Sequence, residues 1–206
     1  VVTVITQTLV DKNDPAFQSP TKPIGGFMTK EEAERRQREQ GWSVIEDAGR
    51  GWRRVVASPL PKEIVELETV ETLLERGIVT ITVGGGIPVV DPGDGNYEGI
   101  AAVVDKDYAS SLLARELKAD LFVISTAIEK VAVNFGKPEQ KWLDRITLAE
   151  AKAYLAEGIH FAKGSMAPKI QAVIWYLENG GKEALITNPE NIGRALKGET
   201  GTWIIA

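Results

Sequence analysis

Apolar and polar positions follow two regimes along the chain. The run V-V-T-V-I-T-Q-T-L-V at residues 1–10 is β-branched and reads as a strand. D-K-N-D-P-A-F-Q-S-P-T-K-P-I-G-G-F then holds three prolines and two glycines, which predicts an ordered irregular excursion with extended X-Pro steps. Thr29 followed by Glu32 reads as a capping box that opens a short charged helix through about Gln40, ended by Gly41. G-W-S-V-I-E-D-A-G-R-G-W-R-R-V-V predicts two strands around a turn at 48–51, so residues 11–60 read as a small protruding subdomain.

From Pro61 helices and strands alternate. Ile64, Leu67, Val70 and Leu74 recur at helical spacing up to Gly77, and I-V-T-I-T-V reads as a strand running into Gly84, Gly85 and Gly86. Ala101–Val104 reads as a further strand, followed by a helix with Ala109, Leu112, Leu113 and Leu117 on one side. L-F-V-I-S-T and V-A-V-N-F-G read as strands, and Thr147 with Glu150 as a second capping box whose helix stops at Gly158. Pro168 begins a helix burying Ile170, Val173, Ile174 and Leu177, E-A-L-I-T is a strand, Asn188–Pro189 starts a helix, and T-W-I-I-A closes as a strand. Strands joined by helices in this way predict an α/β fold with a mostly parallel sheet. The expected organisation is a strand over 1–10, the subdomain over 11–60 and an α/β lobe over 61–206.

Composition narrows the chemistry. With 206 residues, 43% apolar, the chain has enough material for a sizeable core. A formal net charge of -5 without a basic block argues against a nucleic-acid surface and favours a small-molecule substrate. The absence of cysteine excludes thiol catalysis and disulfides and suits a cytoplasmic location. No stretch has the apolar length of a membrane span, of about 20 residues.

Three strand-to-helix junctions carry unusual sequences, and in α/β sheets such junctions are where ligands bind. Gly84–Gly86 suits either a tight turn or a close approach of backbone N–H groups to an anion. Asp105–Lys106–Asp107 reads either as an ammonium held between carboxylates or as a solvated turn with a capping aspartate; on local chemistry alone the capping reading is the better. Gly164 and Ser165, ahead of the helix near Pro168, with Lys169 close by, would suit a phosphate at a helix N-terminus. Lys163 fits an ordinary surface charge equally well, and the single histidine, His160, lacks metal-ligand spacing and reads as structural or solvent-facing. There is no P-loop, no G-x-G-x-x-G and no G-x-S-x-G elbow.

Taken in order, V-D-K-N-D-P-A-F, P-T-K-P-I-G, E-D-A-G-R-G-W-R-R-V-V, G-G-G-I-P-V-V, A-V-V-D-K-D and G-S-M-A-P-K resemble the carbamate kinases of the amino-acid kinase superfamily, over essentially the whole chain. The resemblance implies a three-layer α/β/α fold, a homodimer, and reversible phosphoryl transfer between ATP and carbamate with Mg2+, used in arginine catabolism to make ATP from ADP and carbamoyl phosphate. It further implies that Lys106 contacts the transferring phosphoryl group, Asp107 organises the lysines, Lys169 binds nucleotide phosphate and Lys22 reaches over the site from the protruding subdomain. By the same resemblance Gly84, Gly85 and Gly86, with Gly164 and Ser165, lie near phosphate. It also implies that Thr126, Val131, Asn134, Phe135 and Met166 line the nucleotide site, and it implies no protein side chain as a metal ligand. The family's leading strand and Gly-Gly-Asn loop have no match here, its glycine loop is one residue longer, and Ile159 is an insertion. The chain is therefore expected to correspond to the C-terminal part of such a kinase, the alternative being a noncatalytic nucleotide-binding or interaction module.

Overall fold

The opening apolar run changes partner part-way. In the computed structural model, which describes residues 1–47, 49–162 and 164–206, it makes two strands, β1 (Val2–Thr3) and β2 (Gln7–Val10), instead of one. The break at 4–6 faces the glycine loop. Thr6 is buried there, its Oγ1 accepting from the Val83 N–H at 3.2 Å and its carbonyl accepting from the Ile87 N–H at 2.9 Å. Ala48, inside the predicted turn, and Lys163 lie outside the described residues.

The chain divides into two compact units, residues 1–106 and 107–206. After β2 the first unit continues through β3 (Lys22–Met28), α1 (Lys30–Gln40), β4 (Ser43–Glu46), β5 (Trp52–Val56), β6 (Pro61–Ile64), α2 (Leu67–Glu75), β7 (Thr80–Ile81), β8 (Ile87–Val90) and β9 (Glu98–Gly99). β1 runs parallel to β7 and β2 parallel to β8, with β6 and β9 added antiparallel at the flanks. β3, β5 and β4 form a separate antiparallel sheet within 11–60. Because β6 and β8 flank β2, residues 61–106 fold with the start of the chain, where the change of pattern at Pro61 predicts one lobe over 61–206.

Caps account for the helix ends. Thr29 Oγ1 accepts from the Glu32 N–H at 3.2 Å and Gly41 closes α1 in the left-handed conformation, at φ 65°. The Glu32 carboxylate is turned to Arg36, at 3.4 Å, and to Arg35. Ile64 belongs to β6, opposite Thr8, and not to the following helix as its spacing predicts. Glu66 sets that boundary: its carboxylate accepts from the Gln7 backbone N–H at 2.7 Å and side-chain amide at 2.9 Å, which holds the strand in place before α2 begins. Two more predicted strands are corrected. The run 78–83 pairs only over Thr80–Ile81, and Ala101–Val104 forms no ladder, although the Val103 N–H bonds to the Ala57 carbonyl at 3.0 Å.

The second unit holds α3 (Lys106–Glu116, whose first residue belongs to the first unit), β10 (Leu121–Ser125), β11 (Val131–Val133), β12 (Lys141–Leu143), β13 (Arg145–Thr147), α4 (Leu148–Glu157), α5 (Met166–Glu178), β14 (Glu183–Thr187), α6 (Ile192–Ala195) and β15 (Thr202–Ile205). The sheet order is β10-β14-β15-β13, parallel for β10–β14 and β13–β15 and antiparallel for the central pair. Its core comprises Ile170, Val173 and Tyr176 of α5 against Phe122, Ile186 and Ile204 of the sheet. The second capping box is complete: Thr147 Oγ1 accepts from the Glu150 N–H and the Glu150 carboxylate accepts from the Thr147 N–H. α5 starts two residues before Pro168, a first-turn position where a missing N–H leaves no hydrogen bond unmade. Asn188–Pro189 opens a short 3-10 turn, and no described helix is long and apolar enough to cross a membrane.

Candidate functional site

In the first unit the glycine loop is built on buried threonines. Gly84, Gly85 and Gly86 have φ of 63°, 108° and 75°, and the preceding Val83 also has positive φ, at 64°. A β-branched residue in that region is strained, so the surrounding bonds must hold it there. They are visible: Thr6 accepts from the Val83 N–H, the Gly86 N–H bonds back to the Val83 carbonyl, and Thr8 Oγ1 donates to the Gly85 carbonyl at 2.9 Å. A Cβ on Gly86 would stand 2.2 Å from Thr8 Oγ1, and one on Gly85 would stand 2.7 Å from the Val104 carbonyl oxygen. The loop borders an open recess of about 400 Å³, with Thr6, Thr82 and Val83 among its walls.

Lys22 is the first residue of β3, and its ammonium pairs with Asp105 Oδ2 at 2.5 Å. Asp105 is 13% exposed and Lys22 33%. The sequence alone gives no sign of this pairing, because 83 residues separate Asp105 from Lys22 and no local spacing links them.

In the second unit Lys169, in the first turn of α5, donates to Asp107 Oδ2 at 2.8 Å. Asp107 is the second residue of α3 and lies inside the helix instead of preceding it as an N-cap. A carboxylate in a helix's first turn still complements the dipole. The pair is one rung of a ladder between α3 and α5: Ser111 Oγ donates to the Ala172 carbonyl at 2.7 Å, and the Tyr108 and Trp175 rings lie 4.7 Å apart. Lys106, the residue between the two aspartates, is exposed.

A mostly apolar pocket of about 190 Å³ lies in the second unit, lined by Ile128, Ala132, Phe135, His160, Ser165 and Met166 together with Ala162. Three predicted nucleotide or phosphate residues, Phe135, Ser165 and Met166, thus meet in one place. The others do not line it. Val131 is fully buried in the core with its N–H bonded to Thr202 Oγ1 at 2.8 Å, Thr126 is tied by its N–H to the Thr187 carbonyl, and Asn134 turns the chain after β11 at φ 53°. Gly164 is exposed, and Ser165 precedes α5 without a side-chain cap bond. His160 was missed as a pocket residue. Its side chain is 8% exposed, with Nε2 2.8 Å from the Glu157 carboxylate and Tyr154 and Phe161 against its ring. Lone-histidine spacing gave no signal for this, since the pocket is assembled from β11, the loop after it and the approach to α5.

These features, glycine loop, paired lysines and apolar pocket, can be compared with known proteins. The sequence profile of the Amino acid kinase family matches residues 32–188. The chain belongs to that family. It is 50% identical over 206 residues to the carbamate kinase of Thermococcus kodakarensis, a match covering 100% of this chain and 65% of that protein. It is 53% identical over 206 residues to the carbamate kinase-like protein YahI of Escherichia coli, covering 99% of this chain and 65% of the relative. Carbamate kinase from Giardia lamblia bound to AMP-PNP superposes with a TM-score of 0.86 at 43% identity, over 98% of this chain and 64% of that one. The carbamate kinase resemblance in the motifs therefore extends through the three-dimensional fold, an α/β arrangement with parallel strand pairs. The chain spans about 65% of the length of these curated relatives.

Proposed function

We propose that this family member takes part in carbamate kinase chemistry, the reversible transfer of a phosphoryl group between ATP and carbamate, running toward ATP when carbamoyl phosphate and ADP are supplied. One observation carries the reading. The tripeptide Asp105–Lys106–Asp107 has a lysine from a distant stretch of chain paired to each of its carboxylates, Lys22 at 2.5 Å and Lys169 at 2.8 Å. Phosphoryl transfer asks little covalent work of a protein; it asks for in-line positioning and for cations around the equatorial oxygens as charge redistributes. Each lysine can supply such charge, and the carboxylate beside it balances that charge within its own unit.

In this reading Lys106 reaches the transferring group, Lys22 neutralises the phosphoryl oxygens on the carbamate side, and Asp107 fixes Lys169 for the nucleotide phosphates. Gly84–Gly86 offers backbone N–H groups without Cβ atoms to hold the oxygens off. The apolar pocket with Phe135 and Met166 takes the base, in keeping with the AMP-PNP held by the Giardia relative. Mg2+ suits the reaction as a counterion to the phosphates. In phosphoryl-transfer sites Mg2+ keeps several waters and is held through substrate phosphates with one or two carboxylates. A cytoplasmic homodimer serving arginine breakdown completes the proposal on the strength of the family resemblance.

The test is ATP formation from ADP and carbamoyl phosphate with Mg2+, alongside calorimetric titration with ADP. Turnover with ADP binding supports the assignment. ADP binding with no turnover would overturn it in favour of a noncatalytic nucleotide-binding module.

A further inference from the structure

We propose that Asp105 is a positioning residue that holds the Lys22 ammonium ready for the phosphoryl group; the inference rests on the phosphoryl-transfer reading above. Lysine carries its charge on a flexible four-carbon stem, and freezing it at the moment of substrate binding costs rotamer entropy. A residue that pre-orders that stem removes this loss from the binding step. Asp105 is placed to do so, being 13% exposed and 2.5 Å from Lys22 Nζ.

The contact is held by the backbone on both sides. Lys22 is paired with Val56 across the β3–β5 ladder. The next residue, Ala57, accepts from the Val103 N–H at 3.0 Å, two residues before Asp105. Lys22, Val56–Ala57 and Val103–Asp105 therefore form a closed circuit of ladder, backbone bond and ion pair. Val104, between the last two, is 3% exposed, and its carbonyl lies where a Cβ on Gly85 would fall, so the same segment also abuts the glycine loop. An exposed lysine that met a carboxylate by chance would have no such frame. One Asp105 oxygen takes one of the three ammonium N–H donors, leaving the ammonium with donors to offer a phosphoryl oxygen while Asp105 keeps hold of it.

Asp105 then acts through Lys22 and not on substrate, and a mutant cycle separates the two. Asp105→Asn keeps the size and removes the charge. The expected loss in kcat/KM for carbamoyl phosphate is between about tenfold and a hundredfold, the range for a misplaced positioning group, with the KM for ADP unchanged. Asp105→Glu restores part of it. In a Lys22→Ala background, Asp105→Asn has no further effect, because the residue it positions is gone. Losses that simply multiply in the double variant, or an equal change in the ADP KM, would overturn the proposal, since either makes Asp105 a general structural group. Should the wild-type protein show no turnover, the kinase reading has failed, and the same four variants are titrated calorimetrically with inorganic phosphate. Non-additive weakening there still supports the positioning role, and additive weakening or no phosphate binding by the wild type rejects it.

Discussion

The Lys169 ammonium donates to the Asp107 carboxylate at 2.8 Å, and the two side chains are only 13% and 11% exposed. Burial makes this pair costly to break from one side, because the remaining charge has little water to turn to. Asp107→Ala should destabilise the protein by about 3 kcal/mol, toward the lower end for a buried pair broken from one side, and Lys169→Ala by a similar amount. The double variant should lose less than the sum, since the interaction between the two groups is lost only once. Urea unfolding of the four proteins measures this; additive losses would mean that the two groups are not energetically coupled.

The glycine loop makes an ordered prediction. Gly84 and Gly86 both have positive φ, but a Cβ on Gly84 meets nothing within 4 Å while one on Gly86 stands 2.2 Å from Thr8 Oγ1. Gly84→Ala bears only the conformational penalty, about 1 kcal/mol. Gly86→Ala bears that penalty and must also displace a buried threonine that holds the Gly85 carbonyl, for a total of about 3 kcal/mol or more. Thermal unfolding should rank wild type above Gly84→Ala and Gly84→Ala well above Gly86→Ala. Equal losses at the two positions would show that Thr8 yields freely.

Lys106 provides the functional counterpart. It begins α3 and is exposed, so Lys106→Ala should fold normally, with circular dichroism and melting behaviour close to wild type. If its ammonium stabilises the transferring phosphoryl group, turnover should fall by about a hundredfold or more, the usual effect of deleting a well-placed donor to developing charge. Near wild-type rates of ATP formation would remove Lys106 from the proposed mechanism.

Helix ends were legible in the sequence because a cap is a local event: Thr147 with Glu150, and Gly41 and Gly158 at their left-handed positions, need only neighbouring residues to form. The buried face of α5 was equally plain, since Ile170, Val173, Ile174 and Leu177 follow the helical period. Strand limits were not, because whether 78–83 or 101–104 joins a ladder depends on what lies alongside. Ile64 fits a helical period as well as it fits β6, and its pairing opposite Thr8, with Glu66 bonded to Gln7 just beyond, decides the matter. At the candidate site the motif around Lys106 stood out, yet the partners of its two aspartates come from residues 22 and 169. His160 became a pocket residue only through tertiary assembly.

The capping box of α4 carries a pH dependence whose sign follows from its geometry. Glu150 accepts from the Thr147 backbone N–H at 2.8 Å and from the Thr147 hydroxyl at 2.9 Å. Both bonds favour the ionised carboxylate, the backbone one more, and they hold Glu150 below the ordinary glutamate value of 4.5. A folded-state value below the unfolded one means that the unfolded chain binds the proton more readily. The stabilisation is then fully present above the unfolded value and is lost as pH falls through the folded one. Other carboxylates titrate in the same window, Asp47 beside Arg50 and Asp120 beside Lys182 among them, so wild-type acid unfolding alone does not isolate this contribution. The difference between wild type and Glu150→Gln does. Glutamine can still accept from the Thr147 N–H but carries no charge, so wild type should melt higher at neutral pH and the gap should close as pH drops from roughly 5 to 3. A gap that stays constant over that range would show that the cap works as a neutral hydrogen bond and that the charge on Glu150 adds nothing to it.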